Sequence, residues 1–160
     1  MTEIHLIRHA RAQSRRSDLP DAERLLTPAG MRQAERLLRA LRLLKIEYQV
    51  LWTSPLARAR QTAAVLAPLA QVVVEEEKLA QDWDENFLRE KILIEGQAVA
   101  VVGHEPALSR ISATLLAGSA EFAESFAFKK SGLYAVSFSP EPRLRFVLTP
   151  ALLKRLPCRN

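Results

Sequence analysis

The segment AVAVVG, from Ala98 to Gly103, is the feature that most restricts the fold of this chain. It is an uninterrupted run of apolar residues, whereas a strand with one face in water alternates apolar and polar residues. Such a run is typical of a parallel strand that is covered on both faces. It therefore favours a sheet with helices on both sides.

The rest of the chain alternates strands and helices. Further strands are predicted at Ile4–Ile7, Tyr48–Trp52, Val72–Val74, Leu133–Phe138 and Arg143–Leu148. The last two flank the turn SPEP, so they predict an antiparallel pair at the sheet edge. This alternation predicts the α/β class: one domain over residues 1–160, a three-layer α/β/α sandwich with a mostly parallel central sheet and an antiparallel edge.

Three helices follow from apolar residues at helical spacing. The segment LTPAGMRQAERLLRALRLL predicts a helix with Thr27 as N-cap and Pro28 as first helical residue. The segment SPLARARQTAAVLAPLA predicts a second helix that Ser54-Pro55 opens and Pro68 interrupts. A third helix is predicted from Pro106 to Leu116.

The formal net charge of +5 suits an acidic or phosphorylated partner, although glutamates interleave with the arginines. No basic block with interleaved aromatic residues is present, so we expect no nucleic-acid partner. Cys158 is the single cysteine, which allows no disulfide framework or metal cluster within one chain. Without a signal peptide or a bilayer-length apolar run, we expect a cytoplasmic protein with no membrane partner.

Ligands of such folds bind beyond the carboxyl ends of the strands, where three junctions carry arginine or histidine. Arg8 and His9 follow the first strand, Arg58 and Arg60 lie in the first turn of the second helix, and His104 follows Gly103. An arginine in a first helical turn opposes the helix dipole unless an anion docks there. Singly, each residue has a structural or solvated explanation. Together, Arg8, His9, Arg58 and His104 predict a pocket for a phosphate- or sulfate-type anion.

A histidine in that pocket can act as a nucleophile toward phosphorus when its imidazole is neutral. Arginines and a cationic His104 would neutralise the phosphoryl oxygens during in-line transfer. We expect no metal or other cofactor, because the sequence has no metal-ligand cluster and no GKS or GKT loop. His5 is interpreted as structural.

Other basic residues near these junctions are left outside the predicted core site. Arg11 and Arg15 are interpreted as rim or surface residues, and Arg60 as solvated or paired with a carboxylate. Lys129, Lys130 and Ser131 precede a predicted strand, and two interpretations stay open for them: they border the pocket, or the lysines lie on the surface.

The motifs together closely resemble the histidine phosphatase superfamily, also called the phosphoglycerate-mutase-like family. They are RHA after the first strand, LTPAGMRQA, SPLARARQTA and VVGHEP, in the family's order and over most of the chain. The short length and the form GHEP are most similar to SixA-type phosphohistidine phosphatases. This resemblance implies that His9 becomes phosphorylated and that Arg8, Arg58 and His104 bind the phosphoryl group.

Two departures from the family pattern stand out. Ala10 replaces the usual glycine, and it would be strained if that position required a positive φ. The general acid of larger relatives aligns near Ala80-Gln81, where no carboxylate stands. Glu77, Asp82 and Asp84 are the nearby candidates, in an acidic segment predicted as a turn followed by a short helix.

A site without a strong acid should prefer a leaving group that needs little protonation, because general acid help is commonly worth ~10²–10⁴-fold. The imidazole of protein phosphohistidine is such a group. The favoured hypothesis is therefore a metal-independent phosphatase that acts on phosphohistidine through His9. A small-molecule phosphomonoesterase and a non-catalytic phosphate-binding module are the alternatives.

Overall fold

The computed structural model describes residues 2–80, 83, 86–88, 98–138 and 141–156. Its strands are β1 (Thr2–Arg8), β2 (Tyr48–Thr53), β3 (Ala70–Glu75), β4 (Ala98–Gly103), β5 (Leu133–Phe138) and β6 (Pro142–Leu148). Its helices are α1 (Pro28–Leu43), α2 (Ala57–Leu66), α3 (Ala107–Ala117) and the short α4 (Pro150–Leu153). Short 3-10 turns lie at Asp21–Glu23, Ala67–Leu69, Glu77–Ala80 and Ala120–Phe126.

One mixed sheet of six strands forms the centre, in the order β3-β2-β4-β1-β5-β6. Strands β3, β2, β4 and β1 are parallel, and β5 and β6 form the antiparallel edge. All residues of β4 after Ala98 are buried. The predicted α/β class and the interpretation of AVAVVG as a central strand are both confirmed.

Helices cover both faces of the sheet. Successive side chains of a strand point to opposite faces, so neighbouring residues of β1 pack against different helices. Leu6 of β1 belongs to the core cluster that contains Leu108 of α3. The next residue, Ile7, belongs to the opposite cluster, which contains Leu41 of α1 and Ala63 of α2. The parallel pairing of β1 and β2 with β4 places the ends of these three strands side by side at one edge.

Helix α1 begins as predicted, with the Thr27 hydroxyl oxygen accepting a hydrogen bond from the Gly30 amide at 3.1 Å. Helix α2 instead begins at Ala57, so the prediction that Ser54-Pro55 opens it is wrong. The Ser54 hydroxyl oxygen accepts a hydrogen bond from the Leu56 amide at 3.3 Å and turns the chain before the helix.

Three further predictions concern Pro68, the acidic segment and the membrane. The 3-10 turn that contains Pro68 ends α2, as the predicted interruption requires. Of the acidic segment, the turn Glu77–Ala80 and the helical residues 86–88 are described. No helix in the described part of the chain has both the length and the apolar character for crossing a membrane.

Candidate active site

The site lies where β1, β2 and β4 end at the same edge of the sheet. Arg8 is in register with Gly103, and the strand pairing continues as the His9 amide donates to the Gly103 carbonyl at 3.1 Å. The Ser54 amide donates to the carbonyl of Val102 at 3.1 Å. The residues that follow the three strands are therefore fixed relative to one another by sheet hydrogen bonds.

The structure brings together all four residues of the predicted pocket. They line one cleft of about 160 Å³, and the ring centroids of His9 and His104 are 5.1 Å apart. The full lining is Arg8, His9, Ala12, Arg15, Arg24, Arg58, His104, Glu105 and Lys130. The guanidinium groups of the four arginines in this lining surround its two histidines.

His9 is 7 % exposed and presents a defined tautomer. Its Nδ1 lies 2.7 Å from the carbonyl oxygen of Ala10. Since a carbonyl oxygen only accepts, Nδ1 carries the hydrogen and Nε2 of the neutral ring keeps its lone pair. Burial, followed by the charges of Arg58, Arg8 and Lys130, lowers the pKa of His9 to about 4. The ring is therefore neutral and nucleophilic near pH 7.

Ala10 fits its position without backbone strain. It is fully buried, and it is not among the described residues with a positive φ. Its amide donates to the Thr62 hydroxyl at 3.1 Å, and that hydroxyl donates to the Arg58 carbonyl at 2.7 Å. The methyl group that replaces the family's glycine hydrogen joins a small apolar cluster with Ala34.

Arg8 and Arg58 each retain an unused donor. Arg8 Nη1 donates to the Phe128 carbonyl at 2.6 Å, while its Nε is buried without a partner. Arg58 is 5 % exposed, and its Nη1 and Nη2 donate to the carbonyl and the carboxylate of Asp21 at 2.7 and 2.9 Å. Its Nε is also buried and unpartnered. Such groups are uncommon in folded proteins, and an anion would satisfy them.

His104 is held beside His9 in a neutral state. Its Nε2 lies 2.7 Å from the hydroxyl of Ser54, and its Nδ1 is buried without a partner. Burial, then His9 and Arg58, lowers the pKa of His104 to about 3. The expectation of a cationic His104 is therefore not met by the protein's own surroundings of this ring. A bound phosphoryl dianion would raise its pKa, because an opposite charge favours the protonated ring.

Asp21, which the sequence analysis did not single out, joins three arginines around the cleft. Its carboxylate oxygens lie 2.9 Å from Arg58 Nη2, 2.8 Å from Arg24 Nη2 and 3.3 Å from Arg15 Nε. These residues lie in the irregular segment between β1 and α1, where no periodicity indicates a side chain's direction. Arg15 does lie at the cleft rim, as interpreted, whereas Arg24 was missed.

Glu105 is the second carboxylate at the cleft, and backbone donors occupy both of its oxygens. It accepts hydrogen bonds from the amides of Ser109 at 3.1 Å and Phe128 at 2.5 Å. The carbonyl of Phe128 in turn receives Arg8. Glu105 therefore supports the segment that orients Arg8.

The glutamines of the two longer motifs hold the backbone that follows His9. Gln33 Oε1 accepts a hydrogen bond from the Arg11 amide at 3.0 Å. Gln61 Oε1 accepts one from the Leu26 amide at 2.6 Å. These side chains act on the loop conformation and not on the cleft.

Gly30 of the LTPAGMRQA motif has a steric role in the same loop. A Cβ at this position would lie 1.9 Å from the Arg11 carbonyl oxygen. The Thr27 amide and hydroxyl both donate to that carbonyl oxygen, at 2.9 and 3.2 Å. The glycine thus lets the start of α1 approach the loop.

Among the described residues, no general-acid candidate lines the cleft. Glu77 is exposed and does not line the cleft. Asp82 and Asp84 lie outside the described residues.

Two residues that were interpreted as structural or surface groups lie away from the cleft. His5 is fully buried, with its ring nitrogens 2.6 Å from the Tyr48 hydroxyl and 2.7 Å from a Glu3 carboxylate oxygen. Arg60 forms a surface ion pair with Glu75 at 3.5 Å. Both interpretations are confirmed.

An α/β sheet that presents a neutral histidine among arginines, beside a second histidine from a neighbouring strand, has the arrangement of a histidine-type phosphatase. Residues 4–91 match the family described as the histidine phosphatase superfamily (branch 1), which is more than half of the chain. The chain belongs to this family, and the resemblance seen in its motifs is confirmed.

One known protein is similar to part of this chain, and several solved structures share its fold. An uncharacterized protein of Picosynechococcus sp. is 37% identical over 65 residues, which are 41% of this chain and 39% of that protein's length. The structure of the protein named as phosphohistidine phosphatase SixA from Agrobacterium tumefaciens is 23% identical, with a TM-score of 0.79 and coverage of 93% and 99% of the two chains. A protein histidine phosphatase SixA complexed with tungstate is 19% identical, with a TM-score of 0.79 and coverage of 94% and 99%.

A further solved structure of this fold is a phosphoserine phosphatase from Entamoeba histolytica in complex with 3-phosphoglyceric acid. It is 18% identical, with a TM-score of 0.76 and coverage of 95% of this chain and 100% of that one. The fold is therefore SixA-like and is shared by phosphatases of different substrates.

Proposed function

We propose that this protein is a metal-independent phosphatase that acts through a phosphohistidine intermediate on His9. The observation that carries the proposal is the state of His9. Its Nδ1–H is bound to the Ala10 carbonyl, so the lone pair of Nε2 is available in a cleft with unpartnered guanidinium donors. Oriented donors of this kind stabilise the charge of a phosphoryl group in transfer.

The reaction has two displacement steps. His9 Nε2 forms a bond to phosphorus, and the bond from phosphorus to the leaving imidazole of the substrate breaks. The electron pair of that bond goes to the imidazole, which is already protonated on its other ring nitrogen and so leaves as neutral imidazole. Water then forms a bond to phosphorus and gives a proton to the solvent, while the electron pair of the breaking P–N bond returns to His9 Nε2. The products are the dephosphorylated substrate and inorganic phosphate.

Protein phosphohistidine is the favoured substrate, and the carboxylates described around the cleft support this choice. Asp21 is ion-paired with arginines, and the charges and hydrogen bonds of Arg58 and Arg24 outweigh its slight burial and lower the pKa of its carboxyl. Both oxygens of Glu105 accept amide hydrogen bonds. Neither group is suited to donate a proton, and a protonated imidazole leaves without such help. The likeness to a SixA structure with bound tungstate, an oxyanion, supports the same choice.

A small-molecule phosphomonoesterase is the second candidate. The likeness to a phosphoserine phosphatase in complex with 3-phosphoglyceric acid favours it, because that relative of equal fold binds a small phosphorylated acid. A non-catalytic phosphate-binding module is less well supported, since the neutral His9 has its nucleophilic nitrogen free.

Trapping of the intermediate tests the proposal. Intact mass after brief exposure to phosphoramidate should show one added phosphoryl group, and His9→Ala should show none. Two peptides of one sequence, carrying phosphohistidine or phosphoserine, should then be compared by phosphate release. Equal turnover of both peptides would contradict the substrate preference. No adduct and no turnover would overturn the enzymatic proposal in favour of the binding module.

A further inference from the structure

The mouth of the cleft carries two exposed cations that the transfer of a single phosphoryl group does not use. The side chain of Arg15 is 85% exposed, and its described ion pair is the one with Asp21 at 3.3 Å. Lys130 is exposed and lines the cleft, whereas the adjacent Lys129 does not. Within the described residues, no hydrogen bond or ion pair engages the Lys130 ammonium. We call Arg15 and Lys130 the rim cations.

The two residues that follow Lys130 are hydrogen-bonded to the backbone of Arg8 and His9 at the centre of the site. The Ser131 amide lies within hydrogen-bond distance of the carbonyls of Arg8 at 3.0 Å and His9 at 3.1 Å. The Arg8 amide donates to the Gly132 carbonyl at 3.0 Å. Ser131 adopts a φ of 62°, which is uncommon for a residue with a side chain and is typical of functional segments. This turn therefore holds the Lys130 backbone next to the end of β1, and the Lys130 side chain lines the cleft.

The charges around the cleft exceed what one phosphoryl group neutralises. Five cations against the carboxylates of Glu105 and Asp21 leave three positive charges, because His9 and His104 are both neutral near pH 7. The cations are Arg8, Arg15, Arg24, Arg58 and Lys130. A phosphoryl group brings two negative charges at most. Partial burial, and then the charges of the arginines nearby, lower the pKa of Lys130.

The direction of in-line displacement places the leaving group toward these cations. His9 is nearly buried, so phosphorus that bonds to its Nε2 lies between the ring and the mouth of the cleft. In-line transfer puts the leaving group on the side of phosphorus opposite the nucleophile. Lys130 and Arg15 lie at that exposed side.

We propose that Lys130, assisted by Arg15, binds a second anionic group of the substrate on its leaving-group side. The favoured substrate then carries a carboxylate or phosphate close to the phosphoryl group that is transferred. In a phosphohistidine protein this group is an acidic side chain beside the phosphohistidine, and in a small molecule it is a second phosphate. The inference rests on the proposed phosphatase function and specifies its substrate class.

The test compares two phosphohistidine peptides that differ in the neighbours of the phosphohistidine, aspartate in one and asparagine in the other. At low salt, kcat/KM should be about two- to fivefold higher for the acidic peptide for each rim cation engaged, which is the range of exposed ion pairs. The preference should shrink at high salt, because salt screens exposed charges. Lys130→Gln should reduce the ratio toward one, and Arg15→Gln should reduce it partly. The matched control Lys129→Gln should keep the wild-type ratio.

A second arm identifies the source of the anionic group. A small molecule with two phosphates should be compared with its single-phosphate analogue in the same proteins. A preference that depends on Lys130 in either arm supports the proposal and assigns the group as a carboxylate or a phosphate. Equal rates within both pairs, with phosphoryl trapping on His9 intact, would overturn the second-anion proposal and leave the phosphatase function standing. Loss of trapping itself would overturn the function.

Discussion

Replacement of His9 by asparagine should make the free energy of unfolding less dependent on pH. The pKa of His9 is about 4 in the folded protein, whereas an unfolded histidine titrates near its ordinary value of 6.5. Between these values the unfolded chain binds a proton that the folded chain does not bind. The stability that the neutral His9 contributes is therefore present above 6.5 and is lost as the pH falls through the window toward about 4.

The size of the effect follows from the two pKa values. Inside the window, one such histidine changes the free energy of unfolding by ~1.4 kcal/mol per pH unit. Between about pH 7 and about pH 5, His9 alone should contribute ~2 kcal/mol of lost stability. His104, with a pKa of about 3, acts in the same direction and remains in the variant. The lowered carboxyl pKa values of Glu3 and Asp21 are also common to both proteins.

Urea unfolding of the wild type and of His9→Asn at several pH values measures this contribution. The difference between the two free energies reports the proton that His9 binds, together with the smaller change that the loss of His9 causes in His104, because the other titrating groups are shared. That difference should change by ~2 kcal/mol between about pH 7 and about pH 5. A difference that stays constant over this range would mean that folded His9 titrates near 6.5. The neutral nucleophile at the centre of the proposed mechanism would then lack its electrostatic basis.

Two substitutions test other parts of the site. Arg58→Lys keeps a charge but loses the fork of donors, two of which bind Asp21. We therefore expect kcat/KM to fall ~100-fold in phosphate-release assays. The control Arg60→Lys, on the exposed face of α2, should retain wild-type activity. Wild-type rates in Arg58→Lys would mean that Arg58 does not contact the phosphoryl group. Gly30→Ala places a Cβ 1.9 Å from the Arg11 carbonyl oxygen and should lower the free energy of unfolding by about 1–3 kcal/mol in urea. Gly103→Ala is the control, because its Cβ would meet its nearest neighbour at 3.6 Å. Equal losses of stability in the two variants would show that the close approach of α1 to Arg11 does not determine the cost of Gly30→Ala.

The sequence alone was sufficient to predict the positions of the site residues that follow strands. Arg8, His9 and His104 could be placed together because parallel strands end at one edge of a sheet, and the strand periodicity is clear. Arg58 followed from its position in the first turn of a helix, where a cation needs an anionic partner.

The sequence alone did not predict the positions of side chains whose directions depend on tertiary contacts. Asp21 and Arg24 lie in an irregular segment, and only the folded structure shows that they meet Arg58. The start of α2 was placed too early because Ser54-Pro55 has the composition of a helix opening. In the structure the Ser54 hydroxyl lies 2.7 Å from His104 Nε2 instead, so a contact across the site decides the local conformation.

A chain of hydrogen bonds couples the nucleophile to the helix that carries Arg58. His9 Nδ1–H donates to the Ala10 carbonyl, the Ala10 amide donates to the Thr62 hydroxyl, and that hydroxyl donates to the Arg58 carbonyl. The Ala10 carbonyl thus fixes the tautomer of His9, and the Thr62 side chain joins the Ala10 amide to the Arg58 backbone. In the proposed mechanism, Thr62 of the SPLARARQTA motif therefore contributes without touching the phosphoryl group, because it holds the backbone beside His9 against the helix that carries Arg58 before the substrate binds.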